Sequence, residues 1–77
     1  MAGALTKDRL ITIFNERISD ELEGLETYSK IWDMIHTSKM PYDIRSTLLN
    51  ILNEILAEEE IHISMLGDAI EAIKRYK

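Results

Sequence analysis

The stretch from Ser46 to Lys77, STLLNILNEILAEEEIHISMLGDAIEAIKRYK, decides the fold. Its apolar residues Leu48, Leu52, Ile55, Leu66, Ala69 and Ile73 recur at steps of three and four, the period of an α-helix with one buried face. The stripe is interrupted at its middle, where Glu59 and His62 take the phase that an apolar residue should hold. Glu58 and Glu60 lie about 100° to either side of Glu59 and read as flanking or solvent residues. A carboxylate and an imidazole on a core-facing stripe need a reason, because burying an unpaired charge costs several kcal/mol even after relaxation.

Upstream, Ile11, Phe14, Ile18, Leu25, Tyr28, Trp32 and Ile35 form a second stripe of the same period. Thr6 is placed to cap this helix, with Asp8 in its first turn, where the helix dipole favours an acidic group. Between the stripes, HTSKMPYD (36–43) mixes turn formers with the only proline, and Pro41 suits the first position of the next helix. The pattern predicts one all-α domain over residues 1–77. It has a helix over about 6–36, a turn over about 37–41 and a second helix over about 42–76, folded as an antiparallel hairpin. No repeat or low-complexity tract is present.

Composition narrows the possibilities. With 77 residues and no cysteine, neither a large core nor disulfides stabilise the chain. Oxygen or nitrogen metal ligands, or assembly with other copies, remain available. A net charge of -5 argues against nucleic-acid and anionic-membrane partners and suits attraction of cations. No run approaches the length of a membrane span, and MAGALTKDRL lacks the basic-then-apolar pattern of a secretory signal, so a cytoplasmic protein is expected. Two helices of roughly 45–50 Å cannot cover each other's apolar surface, since each touches one neighbour only. Leu49, Ile51, Leu56, Ile63 and Ile70 widen that surface further. Pairing of two hairpins into a four-helix bundle is the economical solution.

The first stripe has its own gap, at Glu21. Glu21 and Glu59 are equidistant from position 40, where the turn falls, so an antiparallel hairpin sets them level. A twofold axis through mid-bundle would then gather both copies of Glu21, Glu59 and His62. Four carboxylates in one core repel one another, and two divalent cations would neutralise them with His62 bound neutral. Carboxylate and imidazole ligands without thiolate suit iron or manganese, with zinc or calcium as substitutes. One Glu from each of two helices, with Glu-x-x-His from each of the other two, is the ligand set of di-iron carboxylate bundles.

DELEGLETY (20–28) and EEEIHISM (58–65) together resemble the ferritin-like superfamily, and specifically the encapsulated ferritins, whose protomer is a two-helix half-bundle. Glu21, Gly24 and Tyr28 are similar to a helix signature also found in rubrerythrins, and Glu59 with His62 matches the Glu-x-x-His ligands. The resemblance departs at Thr27, where the family often has tryptophan; here Trp32 stands a turn later. It implies a ferroxidase that oxidises Fe(II) with oxygen at a di-iron site between two subunits, two irons per dimer, for iron storage or detoxification. It further implies a ring of dimers, decameric in the usual case, working inside an encapsulin nanocompartment. Asp20 and Glu23 match an acidic iron-entrance site, and are otherwise a solvated face.

Other readings stand beside this one. A rubrerythrin-like peroxide reductase would need a separate electron donor, because no cysteine is present for a rubredoxin-type site. A metal-free helical dimerisation module would use Glu21, Glu59 and His62 as a polar layer that sets register. Tyr28 and Trp32 are either core aromatics or residues that support the ligands from behind. Gly24 reads as a close helix approach, Met34 and Met65 as core fillers, and His36 as a residue favoured at a helix C-terminus.

Overall fold

The computed structural model describes residues 6–76. The expected domain limits at residues 1–5 and 77 lie outside that range. The chain forms two α-helices, α1 (Lys7–His36) and α2 (Tyr42–Arg75), packed against each other as an antiparallel hairpin. The hairpin measures 58 × 22 × 15 Å.

Local chemistry sets both ends of α1. The Thr6 hydroxyl accepts from the Arg9 amide at 3.1 Å, which satisfies one of the amides left free at a helix start. At the far end, the Thr37 amide and hydroxyl both donate to the Asp33 carbonyl, at 3.0 and 2.9 Å. The Ser38 hydroxyl donates to the Ile35 carbonyl at 2.7 Å, and the Arg45 guanidinium reaches back from α2 to the Ser38 carbonyl at 3.3 Å. These bonds absorb the carbonyls that α1 leaves unpaired and fix the angle at which α2 departs. Pro41 has φ -53° and ψ 145°, so it precedes the first helical residue instead of being it. Its missing amide costs nothing there, because a helix start has spare donors in any case.

The seam between the helices is thin. Among the described residues only Leu52 and Ile70 are buried, each 7% exposed, and both lie on α2. Ile70 joins the predicted stripe, whose Leu48, Leu52, Ile55, Leu66, Ala69 and Ile73 are all buried or half-buried. The other side of α2 is left open: Ile51 and Met65 stay 49% and 61% exposed. Met34 is exposed as well, so neither methionine read as a core filler fills the core of the single hairpin. At the turn end, the Trp32 ring stacks on His36 with centroids 4.8 Å apart and planes within 13°. The Trp32 Nε1 is buried without an acceptor among the described residues. Among the described residues, no helix is long and apolar enough to cross a membrane.

Candidate metal centre

Glu21 and Glu59 come from different helices and meet in the middle of the seam. Glu21 sits on the face of α1 that also carries Phe14, Leu25 and Tyr28, and its side chain keeps only 12% of its surface. Glu59 is half-buried opposite, on the same strip of α2 as Leu52, Ile63 and Ile70. The expectation that the turn sets these two residues level agrees with this placement.

The two carboxyl groups lie close enough to perturb each other. Hydrogen bonding with Glu59 holds Glu21 below its ordinary value of 4.5, helped by the charges of His62 and Arg17 and opposed by burial. The same interaction pushes Glu59 up, and burial and the Glu21 charge push it the same way. Opposite directions are expected where two neighbouring carboxylates cannot both ionise cheaply.

His62 is one turn beyond Glu59 and lies at the rim. Its Nδ1 is 3.6 Å from the Glu21 Oε2, yet its side chain is 54% exposed. It faces an open groove of about 290 Å³ lined by Arg17, Glu21, His62, Met65 and Leu66. Sequence periodicity placed His62 on the core face; in the single hairpin it lies instead on the open face that carries Ile51 and Met65. Among the described residues, no three His, Asp or Glu side chains of one chain are gathered closely enough to hold a metal ion.

Arg17 escaped the sequence reading. Its guanidinium spans Asp20 Oδ2 and Glu21 Oε1, both at 3.2 Å, and so couples the first of the two acidic candidates to the inner carboxylate. The signal was present as a basic residue three and four positions before the acids, on one helix face. Glu58 and Glu60 are exposed, as their phase requires, and so are Asp20 and Glu23. Tyr28 is half-buried two turns beyond Glu21. Trp32 is three turns beyond it, stacked on His36 at the turn end.

The donor set fits a divalent cation that favours oxygen and nitrogen ligands: two facing carboxylates, a neighbouring imidazole and no thiol. The carboxylate of Glu59 also has a tailored seat. A Cβ at Gly24 would stand 3.1 Å from Glu59 Oε2 and 3.6 Å from its Cδ.

Fold and site define the class as an all-α helical hairpin with two carboxyl groups, Glu21 and Glu59, facing each other at its centre. No protein-family model matches the chain, and comparison with curated proteins and with solved structures likewise gave no match.

Proposed function

We propose that two copies of this hairpin pair through the open face into a ferritin-like four-helix bundle, and that the shared centre oxidises ferrous iron. The observation that carries this reading is the meeting of Glu21 and Glu59 at mid-seam, with His62 beside them on an open apolar face. One hairpin offers two carboxylates and one imidazole. Two related by a twofold axis offer four carboxylates and two imidazoles, the ligand set of di-iron carboxylate bundles. Iron is the substrate here: the two Fe(II) of one centre each give one electron to oxygen, which takes two protons from solvent and leaves as hydrogen peroxide.

The chain's own residues have separable tasks. Glu21 and Glu59 bind the cations and supply the negative charge that favours the ferric product. Glu59 binds as the carboxylate, so protonation at low pH competes with metal. His62 adds a neutral nitrogen donor from the rim. Asp20 and Glu23 stand on the exposed surface of α1 beside Glu21, where negative charge attracts the incoming cation. A ring of dimers and an encapsulin shell belong to the same reading as its assembly, and rest on the resemblance alone.

Anaerobic addition of Fe(II) followed by air tests the activity. Rapid growth of a ferric absorbance band is expected, lost in Glu59→Ala and His62→Ala. Normal oxidation by either variant would overturn the assignment. A second reading has its own observation: Arg17 and the interaction of Glu21 with Glu59 already satisfy much of the polar trio without metal. On that reading the protein is a helical dimerisation module in which the trio sets register, and dimerisation would proceed unchanged in a chelator.

A further inference from the structure

α2 and α1 each carry one glycine within the helix, and the two stand in different surroundings. A glycine inside a helix costs about 1 kcal/mol relative to alanine, so each position invites the question of what the missing Cβ provides. At Gly67 an added Cβ would meet nothing within 4 Å. At Gly24 its three nearest neighbours would all belong to Glu59, with Oε2 at 3.1 Å, Cδ at 3.6 Å and Oε1 at 3.9 Å. A whole carboxylate is therefore laid against the bare backbone of the facing helix. The atoms that a Cβ would displace are the flexible end of one side chain, so the fold could absorb the change by moving that end by a few tenths of an ångström. The position of the carboxylate could not survive it.

We infer that Gly24 is a positioning residue for Glu59: its lack of a side chain is the recess that holds the Glu59 carboxylate beside Glu21 at the height where the cation binds. This rests on the metal-binding reading above and adds a specificity element to it. Glu59 has three side-chain torsions and could point along the seam or out to solvent. The recess removes that freedom, and groups that orient metal ligands in this way typically matter by 10–100-fold in affinity. Gly24 touches no metal and no substrate in this scheme; it acts through Glu59.

The test compares Gly24→Ala with Gly67→Ala in the full chain. Alanine favours the helix at both positions, so Gly67→Ala is expected to melt above the wild type by about 4–8 °C in metal-free buffer, and Gly24→Ala by a smaller margin, because moving the Glu59 carboxylate weakens its interaction with Glu21. Anaerobic equilibrium dialysis with Fe(II) should then separate them. Gly67→Ala binds as the wild type does, whereas Gly24→Ala binds about tenfold more weakly or worse despite its higher Tm. A glycine needed only for close packing would lose stability together with affinity, and that result overturns the inference. Equal Fe(II) affinity in Gly24→Ala and wild type also overturns it, while leaving the metal reading in place. Failure of the wild type itself to bind Fe(II) removes the metal reading and this inference together.

Discussion

Glu21 and Glu59, from different helices, face each other across the seam of the hairpin, and their interaction lowers the first carboxyl and raises the second. The relationship makes the centre sensitive to pH. Glu59 is raised in the folded state, so its stabilisation is full below the unfolded value and is lost as pH rises through the folded one. Glu21 is lowered, so its stabilisation is present above the unfolded value and is lost as pH falls through the folded one. The contribution of the pair to metal-free stability therefore peaks near the ordinary 4.5 and declines on both sides. Glu59→Gln keeps a donor for Glu21 at every pH. The difference in Tm between this variant and wild type should grow as pH rises from about 4.5, and a difference that stays flat would contradict the coupling of the two carboxyl groups.

In the proposed centre Arg17 would compete with the cation for Glu21. Its ion pairs at 3.2 Å lie on a side chain that is 56% exposed, where such pairs contribute about 0.2–1 kcal/mol. A basic residue ahead of its acidic partner is also the weaker order for supporting a helix, so little helical stability depends on it. Arg17→Gln is expected to tighten anaerobic Fe(II) binding by up to about fivefold, measured by dialysis. Weaker binding would mean that Arg17 holds Glu21 in its ligating position instead.

The thin seam sets a third expectation. With only Leu52 and Ile70 buried among the described residues, removal of either large side chain should cost about 2–4 kcal/mol, a large share of what so small a core supplies. Leu52→Ala followed by far-ultraviolet circular dichroism during urea unfolding gives the number. A loss below about 0.5 kcal/mol would place the core elsewhere.

Met65 tests the open face without touching the seam. It is 61% exposed and lines the same groove as His62. In the paired bundle a charge there would be buried, so Met65→Glu is expected to shift sedimentation toward the single chain while helices still form. An unchanged mass would show that copies meet through another face.

The fold was legible in the sequence because its determinants are local or periodic. The Thr6 cap, the turn formers around Ser38 and the two stripes gave both helices to within a residue or so, including α2 from Tyr42 to Arg75. Glu21 and Glu59 could be paired by counting from the turn, since an antiparallel hairpin has only one register once its turn is placed. His62 was harder. A periodic stripe says which residues share a side but does not divide that side between the hairpin's own seam and a second surface, and His62 and Met65 fall on the latter. Gly24 looked like a close helix approach, and only coordinates could attribute the closeness to one carboxylate. Arg17 was invisible for a different reason: an exposed arginine near acids is ordinary on helices, and its significance depends on Glu21 being withdrawn into the seam.

In the proposed bundle the metal centre is completed by a second copy of the chain. Native mass spectrometry of protein titrated anaerobically with Fe(II) tests this, because chain count and iron count are read from one species. The smallest iron-loaded species is expected to hold two chains and two irons, with the iron absent from Glu59→Ala. A single chain that carries iron, or paired chains that never take it up, would rule out a centre shared between two copies.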